Sequence, residues 1–283
     1  MISIELKGCF EVKLRGLLGP EEHDDKEVTI LGRIVRYKEW GIEYEADPKH
    51  RKLILEHFGM DETTRSLKTN GGKEEEEGDE SELRGEEATS YRAVAARLNY
   101  SGQDSPDLMF GTKEACRGMA KPTVGDLRKL KKMAKYLVGR KAVVWRYEWQ
   151  EEGQRLKVFT DSYWAGCRKT RKSSSGGLLM IGSHCIRAWC STQGALALSS
   201  AEAEYYSMVE GVLRARGMQN IGREVGMDGA TQSVRLELLV DSSAAKGFVS
   251  KRGSGKMRHI EVRWLWLQEE VRAGRVTVTK VKR

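Results

Sequence analysis

The period at which apolar residues recur changes along the chain. In Val28-Thr29-Ile30-Leu31-Gly32-Arg33-Ile34-Val35-Arg36-Tyr37 β-branched residues roughly alternate with others, which predicts a strand, whereas Leu53, Ile54 and His57-Phe58 give Lys49 to Phe58 helical spacing. Together they predict a small α+β unit. Ser90 to Tyr100 and Thr123 to Val138 read as helices. In the second, Leu127, Leu130, Ala134 and Leu137 form one stripe ringed by Arg128, Lys129, Lys131, Lys132 and Lys135. Beyond Arg146 strand patterns take over: Leu156 to Asp161, Gly176 to Gly182 and His184 to Thr192 are apolar runs, the last two joined by a Gly182-Ser183 turn. A long helix from Ala201 to about Gly226 follows. Then come a strand Val234 to Asp241, a short helix Ser243 to Val249, a helix Ile260 to Ala273 and a strand Arg275 to Val281. The order β-β-β-α-β-α-α-β predicts an α/β fold, a mixed five-stranded sheet flanked by helices, preceded by a smaller α+β and helical region.

Charge divides this pattern. Between Gly71 and Glu87 nine acids face only Lys73 and Arg84, a local charge of −7, so the remainder of a chain of net charge +8 carries +15. A run so poor in large apolar residues, beside Asn70-Gly71-Gly72, predicts a disordered linker at 69–89. It separates a unit at 1–68 from a helical connection at 90–150 and a larger domain at 151–283. The basic remainder suits a polyanion such as nucleic acid. Eleven basic and two acidic residues lie between Lys113 and Arg146. Arg128, Lys129, Lys132 and Lys135 are therefore candidates for phosphate contact, with a solvated helix face as the alternative. With 39% hydrophobic residues among 283, the chain can fill one large or two small cores. No run approaches the ~20 apolar residues of a membrane span. Glu5 and Glu11 interrupt the first residues, unlike a secretory signal, and five scattered cysteines are no disulfide framework. The expectation is a soluble intracellular protein, cytoplasmic or nuclear. His184, Cys185 and Cys190 lack the paired spacing of structural zinc, so free thiols are expected, and the tryptophans are expected mainly in the core.

Three acids lie where core elements would deliver them to one edge of the sheet. Asp161 ends the first strand of the larger domain and Asp241 the fourth, while Ser199-Ser200-Ala201-Glu202-Ala203-Glu204 opens the long helix. Converging carboxylates on a rigid sheet are what divalent ions need to clamp an in-line phosphoryl displacement. Ser199 and Glu202 fit a capping box, in which the glutamate returns to the serine N–H. Glu204 has no such local partner and is the preferred ligand.

These residues stand in motifs. Thr160-Asp161-Ser162-Tyr163-Trp164-Ala165-Gly166, Ser173-Ser174-Ser175-Gly176, Ala188-Trp189-Cys190-Ser191, Leu198-Ser199-Ser200-Ala201-Glu202-Ala203-Glu204-Tyr205, Asp241-Ser242-Ser243-Ala244-Ala245 and Arg258-His259-Ile260-Glu261-Val262-Arg263 follow one another over 156–281. In residues and order the stretch resembles the ribonuclease H domain of copia-type long-terminal-repeat retrotransposon Pol polyproteins. More weakly, Tyr91 to Tyr100, Ser105-Pro106-Asp107-Leu108 and Lys132 to Arg140 resemble the connection that precedes that domain, and Phe10 to Lys13 the segment after the polymerase palm. The polymerase's Y-x-D-D motif is missing; His23-Asp24-Asp25 is the nearest string.

The resemblance implies a ribonuclease H-like fold. It implies Asp161, Glu204 and Asp241 as ligands of magnesium (Mg2+) or Mn2+, and cleavage of the RNA strand of an RNA-DNA hybrid. The polymerase part of the same polyprotein would be a partner. The family's fourth carboxylate lies in an N-x-A-D-x-x-T-K segment beyond the position where this sequence ends, so the resemblance implies feeble cleavage. Glu261, standing where the family has Asp, is an auxiliary candidate, as is His259 as a proton shuttle. The alternative is a non-catalytic, nucleic-acid-binding remnant of such a polyprotein.

Overall fold

Leu31 and Gly32 both take left-handed backbone angles, φ 52° and 80°, so the single strand expected at 28–37 is instead a hairpin with a tight turn. The computed structural model describes residues 11, 13, 16–70, 79–140, 142–151, 155–224, 236–255 and 257–281. They form two units, Met1–Lys68 with Ala134–Trp149, and Thr69–Met133 with Gln150–Arg283. The first unit holds a four-stranded antiparallel sheet in the order β1 (Glu27–Ile30), β2 (Arg33–Lys38), β3 (Gly41–Glu45), β4 (Val144–Glu148). Helix α1, Pro48–His57, starts where Asp47 accepts the Lys49 N–H at 2.8 Å and Pro48 presets the first turn. Its Ile54 and Leu55 are buried. Asp24 and Asp25 accept backbone N–H groups of Glu21 and Leu17 in a turn ahead of β1.

The second unit opens with helices α2 (Gly85–Gly102), α3 (Met109–Arg117) and α4 (Val124–Val138), the last of which runs on into the segment assigned to the first unit. The end of the acidic run is therefore not linker. Asp79 accepts the Ser81 N–H, Glu82 bridges Thr123, and Glu86 and Glu87 fill the first turn of α2, where carboxylates complement the helix dipole. The remainder of the predicted linker, 71–78, lies outside the described residues, as do Phe10 and Val12. The stretch expected as one connection at 90–150 divides, because β4 completes the first sheet.

The main sheet is five-stranded, in the order β7 (His184–Thr192), β6 (Ser174–Ile181), β5 (Leu156–Tyr163), β8 (Leu236–Val240), β9 (Val276–Lys280). Strands β5, β6 and β7 are antiparallel; β8 runs parallel to β5 and β9 parallel to β8. Helices α5 (Ser200–Glu224), α6 (Ser243–Val249) and α7 (Trp266–Arg272) accompany it. Within the predicted helix at 260–273, Val262–Leu265 is a 3₁₀ turn. This is the expected ribonuclease H-like α/β arrangement. Val158, Leu179, Leu236 and Leu238 bury one face of the sheet with Met208 and Val212 of α5, each such side chain contributing roughly 1.5–3 kcal/mol. The helix seats closely because residue 211 is glycine: a Cβ there would meet Thr160 Cγ2 at 2.5 Å and Val158 Cγ1 at 2.9 Å. Among the described residues no helix is long and apolar enough to cross a membrane.

Candidate metal centre

Parallel pairing sets the site. Strands β5 and β8 are in register through Phe159 and Leu239, so two residues further on Asp161 and Asp241 lie side by side toward the carboxyl edge of the sheet, where open α/β sheets gather ligands. Asp241 follows the last residue of β8, whereas Asp161, contrary to expectation, does not end its strand, because β5 stays paired with β6 as far as Tyr163. Helix α6 starts immediately afterwards: Ser242 accepts the Ala245 N–H at 3.2 Å and turns the chain away behind Asp241. Glu204 comes from the start of α5, which Ser207 ties to β5 by donating to the Asp161 carbonyl at 2.7 Å. Asp161, Glu204 and Asp241 each offer a carboxylate oxygen, and the three lie within 4.8 Å of one another.

Glu204 is only 7% exposed. Ser162 holds its Oε1 with both N–H (3.2 Å) and hydroxyl (2.8 Å), while Oε2 is buried with no hydrogen-bond partner. Burial is the main cause that pushes its carboxyl up to about 7; the neighbouring charges of Asp161 and Asp241 add to the rise, and the Ser162 hydrogen bonds oppose it. Three close carboxylates, one with an orphaned buried oxygen, form a hard, oxygen-only donor set of the kind Mg2+ and Mn2+ prefer. The residues fit such an ion.

Glu202 has a different job. It is 1% exposed and accepts from the Tyr206 hydroxyl (2.6 Å), the Leu198 N–H (3.0 Å) and His259 Nε2 (2.9 Å). The cap is a variant of the expected one: Ser199 Oγ accepts the Glu202 N–H at 3.2 Å, but the glutamate reaches Leu198 instead of Ser199. Burial raises the Glu202 carboxyl, yet the three donors outweigh it and hold it below the ordinary carboxylate range. His259 is thus joined to Glu202 and stands outside the carboxylate trio. Glu261 is exposed and engaged by Arg263 at 2.9 Å, likewise outside the trio.

The basic residues of α4 are partly occupied. Arg128 lies 3.3 Å from Asp79 and Lys129 3.6 Å from Asp126, both at the surface; Lys132 and Lys135 are half-buried. Burial pushes the thiols of Cys116, Cys185 and Cys190 up. Cys167 differs: burial raises it, but hydrogen bonds from Thr170 and from the Arg117 guanidinium bring it down to about 7. Trp189 is buried as expected, whereas Trp149 and Trp164 are exposed. Sequence pattern did not single out Ser162 and Ser207, though each had a signal in its spacing, one position after Asp161 and three after Glu204.

No protein-family model matches the chain. An uncharacterized mitochondrial protein of Arabidopsis thaliana is 26% identical over 215 residues, 74% of this chain and 81% of that protein. The retrovirus-related Pol polyproteins from the Arabidopsis transposons RE1 and RE2 are each 24% identical over 68% of this chain. The chain is a relative of retrotransposon Pol polyproteins. It corresponds to 13% of the length of each of those two polyproteins. Solved structures with a similar chain path include ribonuclease H1 of the archaeon Halobacterium salinarum, 17% identical with a TM-score of 0.31 over 46% of this chain and 86% of that one. Another is the foamy viral protease-reverse transcriptase in complex with dsDNA, 14% identical with a TM-score of 0.24 over 91% of this chain and 45% of that one. The fold assignment rests on strand order and register.

Proposed function

We propose that this Pol-related chain is a metal-dependent endonuclease that cleaves the RNA strand of an RNA-DNA hybrid, with Asp161, Glu204 and Asp241 holding Mg2+ or Mn2+. The observation that carries the reading is the convergence of the three carboxylates within 4.8 Å around a glutamate whose second oxygen is buried and unpartnered. When bound, the ions would activate water and stabilise the charge that builds on the leaving oxygen. Ser162 fixes Glu204 in one rotamer, and Ser207 fixes the helix that carries it. Little base sequence should be read, because hybrids are recognised by groove shape, 2′-hydroxyls and phosphates. A polymerase part of the same polyprotein is the proposed protein partner, and the basic face of α4 a proposed phosphate contact.

A second reading, the non-catalytic nucleic-acid-binding remnant, draws on the engagement of Glu261 by Arg263 and of His259 by Glu202, which leaves the trio without either auxiliary. One assay separates the two. Purified protein is incubated with labelled hybrid, with Mg2+ or with EDTA, beside the Asp161→Asn variant. Cleavage that needs both Mg2+ and Asp161 is expected; cleavage unchanged in the variant refutes the assignment, and binding without any cleavage favours the remnant.

A further inference from the structure

The forty residues from Ser162 to Ala201 contain no aspartate or glutamate, although acids make up 41 of the 283 residues and would supply about six to a stretch of that length. The same stretch carries Arg168, Lys169, Arg171, Lys172 and Arg187. Four of these five cations sit in the ten-residue loop between β5 and β6, the loop that directly follows Asp161 and Ser162. Arg168, Lys169 and Arg171 are exposed and Lys172 is half-buried. Among the described residues neither Arg171 nor Lys172 has an ion pair. Lys169 pairs with Glu80 at 2.6 Å, but both side chains are about two-thirds exposed, a pairing that a phosphate can replace readily.

The loop is built rather than slack. Cys167 accepts the Thr170 N–H through sulfur at 3.3 Å, receives the Arg117 guanidinium, and exchanges backbone bonds with Arg171 (2.7 Å) and Lys172 (3.1 Å). Ser173 Oγ accepts the Ala165 N–H at 3.0 Å, and the Ser173 carbonyl accepts the Gln193 N–H at 2.8 Å. Ala165 and Arg171 are held at φ 50° and 56°, left-handed angles that disfavour any side chain and recur where a loop is shaped for function. Ordering the cations in advance reduces the entropy cost of binding.

We propose that the β5–β6 loop, through Arg168, Arg171 and Lys172, grips the phosphate backbone of the nucleic-acid substrate a few nucleotides from the carboxylate trio. The loop reaches roughly 10–20 Å beyond Asp161 at ~3.3 Å per residue, which spans several phosphates along one strand. This deepens the proposed function and rests on it only for the identity of the substrate. The role is positional, since the loop touches the backbone and not the reacting atoms.

Binding is measured in the Asp161→Asn background with EDTA, so that a failure of the cleavage reading leaves the readout intact. The probe is a fluorescently labelled 20-base-pair RNA-DNA hybrid of arbitrary sequence, followed by anisotropy across a KCl series. Replacing Arg168, Arg171 and Lys172 together by Gln should lower affinity at 0.1 M salt by at least about 30-fold. It should also flatten the slope of log K against log salt by about two to three, because each phosphate that is no longer neutralised takes away about 0.7–0.9. Arg171→Gly supplies the check on folding: glycine is at ease at φ 56°, so the melting temperature should hold or rise while hybrid affinity falls by about fivefold. Affinity within twofold in both variants overturns the proposal. So does a loop-dependent affinity for poly-glutamate with none for hybrid, which would assign the loop to an acidic protein partner.

Discussion

At pH 8 the ionised Glu204 destabilises the metal-free protein, so Glu204→Gln should stabilise it while removing a metal ligand. The folded carboxyl titrates at about 7 against an ordinary value of 4.5, with burial as the first cause. That difference of about 2.5 units is worth up to about 3 kcal/mol at 1.36 kcal/mol per unit. Glutamine keeps an acceptor for the Ser162 donors but forms weaker, uncharged bonds, so the net gain should be about 2 kcal/mol. In a unit of this size that is about 4–8 °C in Tm. Because the folded value lies above the unfolded one, the native state binds more protons between pH 4.5 and 7. Wild-type stability is therefore fully present below about 4.5 and falls as pH rises through 7. The variant lacks this slope. Urea or thermal melts at pH 5, 6, 7 and 8 in EDTA should show the two proteins alike at low pH and separating to the full difference by pH 8. Adding Mg2+ should reverse the ranking, since an ion at about a hundred times its Kd stabilises the wild type by about 2.7 kcal/mol, more than the gap, and the variant hardly at all. A variant less stable than wild type at pH 8, or a difference independent of pH, would refute the reasoning.

Glu202→Gln should behave oppositely: it weakens three buried hydrogen bonds, costing about 1–3 kcal/mol at pH 7, and the gap should begin to narrow as pH enters the ordinary carboxylate range and close only below it, where folded wild-type Glu202 also loses its charge; calorimetry from pH 7 downward checks this, and hybrid cleavage should persist. Ser207→Ala removes the donor to the Asp161 carbonyl and should cost about 1–2 kcal/mol in urea unfolding. Gly211→Ala places a methyl 2.5 Å from Thr160 and should cost about 1–3 kcal/mol by forcing α5 off the sheet, with cleavage lowered through displacement of Glu204. The Lys129, Lys132 and Lys135 to Gln triple variant tests the α4 face: if that face contacts phosphate, the salt slope of hybrid binding should flatten.

The sheet was legible because its apolar runs end in punctuated turns, and because Asp241 followed by the cap Ser242 marks the carboxyl end of a strand; at Asp161 the same pattern misled, since β5 runs on through Ser162 to Tyr163. The convergence of Asp161 and Asp241 then follows from parallel pairing. Glu202 and Glu204 were separable only in part. Ser199 three places before Glu202 disclosed a cap, but the partners that complete its burial, His259 above all, come from a segment 57 residues away. Strand β4 pairs with β3 across about a hundred residues, and no local pattern reports such a partner. The hairpin at Leu31-Gly32 was hidden because leucine disfavours a left-handed angle and reads as one more strand residue.

The most direct test of the account is Mn2+ binding to the purified protein, followed by electron paramagnetic resonance of the free ion. Wild type and Glu202→Gln should both remove Mn2+ from solution at neutral pH, and Asp161→Asn, Glu204→Gln and Asp241→Asn should each weaken that binding by at least about tenfold. Undiminished Mn2+ binding in all three carboxylate variants would contradict a metal centre built from these residues.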